Sequence, residues 1–151
     1  MKPLSQFPLD LGYAADHFED RVSDAVKHTM ATAERLAIMN VSGRVLKRRS
    51  GNLARSIQTQ IKRSRGTVTA TLSAGNRNVR YARIHEVGGI IQGRPWLVFQ
   101  LADGGWRKVE RVRIPARPYL GPAMDEALEG LEDDLRDELA PLLSLNHRGV
   151  S

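Results

Sequence analysis

Apolar positions first recur at steps of three and four. Ala15, Phe18, Val22, Val26, Thr29, Ala33 and Leu36 fall in one register, with no Pro or Gly among residues 14–39. That spacing places them on one face of an α-helix, which is predicted over residues 14–39. Asp16, Glu19 and Asp20 near its start suit the helix dipole. The face is narrow and contains Ala and Thr, as suits packing on a flat sheet or another helix. Before it, residues 1–13 read as an N-terminal arm, with Pro3 and Pro8 against regular structure and Gly12 as punctuation.

The period then changes to two. Residues 40–55 are a polar loop with Gly43, Gly51 and Lys47-Arg48-Arg49, and a short helix is expected near Asn52–Arg55. Ile57, Thr59 and Ile61 alternate with Gln58, Gln60 and Lys62. Ser64-Arg65-Gly66 makes a turn, and Val68, Ala70, Leu72 and Ala74 alternate again, which predicts a β-hairpin. Tyr81–Val87 fits a short helix or a strand, and Gly88-Gly89 permits a sharp reversal after it. A second hairpin is expected from Trp96–Leu101, the turn Asp103-Gly104-Gly105, and Trp106–Ile114.

Pro115, Pro118 and Pro122 hold the next stretch extended. Pro122 then suits the first position of a final helix. Met124, Leu128, Leu131, Leu135, Leu139 and Leu142 form that helix's stripe, and Pro141 is expected to end or bend it. Residues 144–151 read as a flexible tail. The fold class predicted is α+β: a small antiparallel β-sheet made of two hairpins, flanked by an N-terminal and a C-terminal helix, with extended loops. Residues 14–143 would form a single domain. The helices would cover one sheet face, leaving the Thr-, Gln-, Arg- and Lys-rich face to water, DNA or a partner subunit.

Charge changes the picture more than composition does. The 151 residues carry a net +6, but residues 1–40 have 4 basic and 6 acidic side chains, residues 41–118 have 17 and 3, and residues 119–151 have 2 and 8. A basic middle followed by an acidic end points to nucleic acid, an acidic partner, or copies of the chain meeting head to tail. No window approaches the roughly 18 apolar residues of a membrane span, so no membrane partner is expected. Residues 1–12 lack the basic-then-apolar order of a signal peptide. The absence of cysteine excludes disulfides, thiolate metal sites and cysteine nucleophiles, and fits a reducing compartment.

No catalytic constellation is present in the pattern. His85-Glu86 would need a second His at position 89 for a zinc-protease motif, and position 89 is Gly. His17, His28 and His147 have no ligand spacing with His85. Gly88-Gly89 lacks the Lys-Ser/Thr of a phosphate loop, and no serine lies in a nucleophile elbow. The expectation is no enzyme activity, no catalytic, metal or cofactor site, and no cofactor. The basic segment 41–118, with Tyr81, Trp96 and Trp106 as stacking rings, keeps a nucleic-acid-binding module as the alternative. The bland reading is that the basic residues keep a β-face soluble and the tryptophans anchor the core. No helix-turn-helix, finger or basic zipper is present to read a groove.

Three stretches together carry a resemblance: Ser50-Gly51-Asn52-Leu53-Ala54-Arg55-Ser56-Ile57, Tyr81-Ala82-Arg83-Ile84-His85-Glu86-Val87-Gly88-Gly89, and Ile114-Pro115-Ala116-Arg117-Pro118-Tyr119-Leu120-Gly121-Pro122-Ala123. In this order and spacing the chain resembles the tail-completion, or head–tail joining, proteins of tailed bacteriophages, including Mu-like virion morphogenesis proteins and minor tail proteins. The resemblance spans about residues 14–140. It implies a non-catalytic virion protein, present in the host cytoplasm during assembly and then in the tail or neck. It also implies a homo-oligomeric ring, usually hexameric, at the head–tail junction. The implied partners are a tail terminator or tail tube protein on one side and a neck or head-completion (stopper or adaptor) protein on the other, with non-specific contact to DNA in the lumen.

A ring needs two different patches on each subunit. The basic middle and the acidic last helix offer them, and opposite charge would steer register. The candidate interface residues are Arg48, Arg49, Arg55, Tyr81, His85, Glu86, Arg117, Tyr119, Glu129 and Asp133. The proline stretch has two readings: it presents Arg117 and Tyr119 to another chain, or it links the strands to the last helix internally.

Overall fold

A computed structural model of the protein describes residues 11–46 and 51–144, with side chains described for 17–46 and 51–141. The architecture is α+β, with helices at both ends of the described chain and two antiparallel hairpins between them. In order these are α1 (Leu11–Met39), α2 (Asn52–Arg55), β1 (Gln58–Ser64), β2 (Thr67–Ser73), α3 (Ala82–Val87), β3 (Gly89–Gln100), β4 (Trp106–Ile114), α4 (Gly121–Leu128) and α5 (Leu131–Ser144).

Helix α1 is the platform. It begins by Leu11, so Gly12 lies inside it rather than punctuating an arm. A glycine in a helix costs about 1 kcal/mol, which a 29-residue helix absorbs near its end. Its buried face is rotated from the predicted one. Ser23, Ala25, Thr29, Met30, Ala33, Leu36 and Ala37 are buried, whereas Phe18 is 51% exposed. The small residues on this face let α4, α5 and the first hairpin approach closely. Residues 40–46 are not an irregular loop. The chain widens into a single broad turn at Asn40–Arg44, where Val45 N–H and Leu46 N–H both donate to the Asn40 carbonyl at 2.8 and 2.9 Å. This tucks Val41 and Leu46 into the core with Ala33, Leu36, Ala37, Ile57, Tyr119, Ala123 and Ala127.

The first hairpin follows the predicted alternation. Arg65 (φ 42°) and Gly66 (φ 77°) form its two-residue turn, and both take the left-handed backbone that such a turn requires. Polar contacts tie it to α1. Arg63 donates from Nε to Ser23 Oγ at 2.8 Å and from Nη1 to Asp20 at 2.6 Å, and Thr59 Oγ1 donates to Glu34 at 2.9 Å.

The second hairpin differs from expectation in three ways. Strand β3 starts at Gly89 rather than Trp96, so the arm is longer. The two hairpins do not merge but remain separate two-stranded sheets. Neither β3 nor β4 packs extensively on any helix. Its tryptophans are therefore not core anchors: Trp96 is 46% and Trp106 72% exposed. A bulge lies between Gln92 and Leu97, and Gly93 permits it, since a Cβ there would sit 2.4 Å from the Trp96 carbonyl carbon.

The expected single last helix is two. Residues Glu129-Gly130 separate α4 from α5, and α5 continues through Pro141 to Ser144. Ala123 and Ala127 form the buried edge of α4, and Leu128 is exposed. Helix α5 crosses back along α1 through polar contacts. Asp134 accepts from Thr29 Oγ1 at 2.9 Å and pairs with His28 Nδ1 at 2.8 Å, and Arg21 pairs with Glu138 at 3.1 Å.

The hydrogen bonds from His28 and Thr29 hold the Asp134 carboxyl below its ordinary value, against the opposing effect of its partial burial. A carboxyl depressed in the folded state contributes stability that is present above its unfolded value of about 3.9 and is lost as pH falls through the folded value. Asp134→Asn should therefore flatten the acid side of the melting-temperature profile between pH 5 and 2.5. Parallel profiles for the two proteins would refute this linkage.

Candidate functional site

The second and third motif stretches meet in space. Helix α3 is short, and its last residues lie against the extended chain 115–120 that leads into α4. The Glu86 carboxylate accepts three consecutive backbone N–H groups: Tyr119 at 2.8 Å and Leu120 at 3.0 Å on Oε2, and Gly121 at 3.0 Å on Oε1. These are donors that the start of α4 leaves without intrahelical acceptors. A negative carboxylate there also complements the helix dipole. One residue earlier, the Arg117 N–H donates to the His85 carbonyl at 2.7 Å.

Tyr119 closes the clasp. It is fully buried, its hydroxyl donates to the Ala82 carbonyl at 3.3 Å, and its own carbonyl accepts from Asn40 Nδ2 at 3.0 Å. Burial, reinforced by the Glu86 carboxylate and then by Tyr81, pushes its phenol up to about 12. It remains a neutral donor across the ordinary pH range. The Gly88 requirement is steric. Its φ is +70°, and a Cβ would lie 2.7 Å from Ala116 N and 3.0 Å from the Ile114 carbonyl oxygen. Thus the Tyr-Ala…His-Glu…Gly-Gly stretch and the Ile-Pro-Ala-Arg-Pro-Tyr-Leu stretch are two halves of one internal fastening.

The fastening sorts the candidate residues. Glu86 and Tyr119 are committed to it, so the Tyr119 side chain is enclosed rather than presented, and the proline stretch serves as an internal link to α4. His85 is half-buried, its ring meets Tyr81 edge-on at 5.8 Å, and its Nδ1 is buried without a hydrogen-bond partner among the described residues. Tyr81 is 40% exposed. Arg117 projects from the clasp with an exposed side chain. Arg55 closes α2 and donates to the Asn52 side chain. Asp133 pairs with Arg136 at 2.9 Å, and Glu129 is exposed between α4 and α5. Arg48 and Arg49 lie outside the described residues. Sequence reasoning missed Asn40, although it continues the buried stripe four residues after Leu36, and it missed the exposure of Trp96 and Trp106.

Among the described residues no three His, Asp or Glu side chains converge as a metal ion requires, and no helix is long and apolar enough to cross a membrane. The family model of phage virion morphogenesis proteins matches residues 22–140, a span that contains the platform helix from Val22 onward, both hairpins and both halves of the clasp. The chain belongs to the phage virion morphogenesis family. No curated protein and no solved structure shows significant similarity to it. Membership makes this a virion morphogenesis protein and favours a structural role over a catalytic one.

If Glu86 fastens the fold, its removal must appear in stability. Hydrogen bonds to a charged group contribute about 1.5–3 kcal/mol each, and those bonds are not additive. Glu86→Ala should lower unfolding stability by about 3 kcal/mol or more, and Glu86→Gln by less, because an acceptor oxygen remains. Urea denaturation checks this, and an unchanged midpoint for Glu86→Ala would refute the clasp. Gly88→Ala should cost roughly 2–4 kcal/mol through backbone strain and overlap with Ala116.

Proposed function

We propose that this chain is a structural component of a tailed-phage virion that closes as a ring at the head–tail junction, completing the tail and joining it to the neck. The family match over residues 22–140 carries this reading. Two of its motif residues, Glu86 and Tyr119, hold the subunit together, so in this reading assembly falls to the surfaces that the clasp positions. Those surfaces are of opposite charge: strands β3 and β4 and their turn, residues 89–114, carry five basic and two acidic side chains, whereas residues 121–144 carry one basic and eight acidic. A head-to-tail contact between unlike patches generates a ring when the rotation closes. The partners in this reading are a tail tube or terminator protein on one side and a stopper or adaptor protein on the other.

A virion assembled without this chain should give filled heads and separate tails. Restoring a tagged copy should place the label at the junction in electron micrographs. Joined, infectious particles formed in its absence would overturn the reading.

A nucleic-acid-binding reading draws on the same arm, because Arg94, Arg107, Arg111 and Arg113 have no ion-pair partner among the described residues. Tight, steeply salt-dependent retention of duplex DNA in a filter-binding series would favour it.

A further inference from the structure

An isolated two-stranded hairpin is at best marginally stable in water. The β3–β4 arm nevertheless projects 12- and 9-residue strands with no helix packed along them. Cross-strand register defines its outer half. Val98 faces Lys108 and Gln100 faces Trp106, and the Lys108 ammonium lies 4.7 Å from the Trp96 ring centroid. Partners in register share a face, so Trp96, Val98, Lys108 and Trp106 form one surface. Val98 is 60% exposed, alongside the exposed tryptophans. This is an apolar strip carrying Lys108, with Glu110 next along the same face, on an arm of five basic and two acidic side chains, and no helix among the described residues packs extensively over it.

The same chain carries a surface of matching chemistry. Leu128 is 46% exposed at the end of α4, with Asp125 one turn before it and Glu129 after it. Several acids nearby are already engaged: Glu126 with Arg44, Asp134 with His28 and Thr29, Glu138 with Arg21, and Glu132 and Asp133 with Arg136. Asp125, Glu129 and Asp137 have no side-chain partner among the described residues. Unpaired acids around an exposed leucine complement Lys108 between the exposed tryptophans and the net positive charge of the arm.

We infer that the β3–β4 arm of one copy docks, through Trp96, Val98, Lys108 and Trp106, onto the α4–α5 surface around Asp125, Leu128 and Glu129 of a second copy. The inference rests on the ring reading above and specifies its contact. A 12-residue strand reaches roughly 40 Å, enough to bridge to a neighbouring subunit. Each copy would then be donor on one side and acceptor on the other. Buried tryptophan supplies the anchor, and charge sets the register.

The test uses the full chain and sedimentation velocity, with circular dichroism to confirm folding of each surface variant. Trp106→Ala should weaken self-association at least tenfold. Lys108→Glu should weaken it in one chain, and Asp125→Lys with Glu129→Lys in another. Mixing those two charge-reversed chains should restore assembly, because each reversed arm then meets a reversed acceptor. Variants that associate as tightly as the unaltered chain would overturn the arm contact while leaving ring formation intact. A mixture that fails to restore assembly would overturn the pairing of these two surfaces. An unaltered chain that stays monomeric while Lys108 is needed to retain duplex DNA would overturn docking to a second copy and assign the arm to nucleic acid. Failure of the ring reading itself is read separately, by joined particles that lack the chain.

Discussion

Where the extended proline segment turns into α4, three consecutive amides at Tyr119, Leu120 and Gly121 need acceptors, and the Glu86 carboxylate supplies all three. Much of the structure follows from that contact. It fixes α3 against the start of α4, and α4 in turn packs on α1 through Ala123 and Ala127. Asn40 adds a second grip on the same turn through the Tyr119 carbonyl. Buried polar groups of this kind stabilise only when they are satisfied, and here the donors and acceptors of the turn are matched nearly in full. The unpartnered His85 Nδ1 beside it is the exception.

The clasp also roots the arm. Strand β3 leaves directly after Gly88, and β4 returns through Ile114 to the segment that Arg117 N–H holds to the His85 carbonyl. Both ends of the arm are therefore anchored within a few residues of the Glu86 contacts. A hairpin held at its base projects in a defined direction even though its outer half gains little from its own chain. That combination suits a surface that is completed by another molecule: the orientation is set in advance, so less freedom is lost on docking.

The remainder of the fold divides apolar and polar work along α1. One part of its face is lined by Ala, Ser and Thr, which bury little area each but allow close approach of three neighbouring elements. Polar pairs then compensate for the modest core: Arg63 to Ser23 and Asp20, Thr59 to Glu34, and Asp134 to His28 and Thr29. Most of these side chains are partly exposed, so their contribution is register rather than large stabilisation.

Local pattern was enough for much of this protein. The 3.6-residue period announced α1, strict alternation announced the first hairpin with its Arg65-Gly66 turn, and Pro122 marked the start of α4, because each of these depends on residues within a few positions of one another. The charge zones and the motif pairing His-Glu…Gly-Gly with Pro-Ala-Arg-Pro-Tyr were likewise visible in the chain. What local pattern could not decide was which groups would meet at long range. Whether Glu86 faced a partner or the backbone 33 residues on, whether Tyr119 was presented or buried, and whether Trp96 and Trp106 packed inside or stood in solvent all depended on the packing of α3, α4 and the arm. The reason is physical: a side chain's chemistry is carried by its own identity, but the use of that chemistry is settled by desolvation and by partners that only the closed tertiary structure brings within bonding distance.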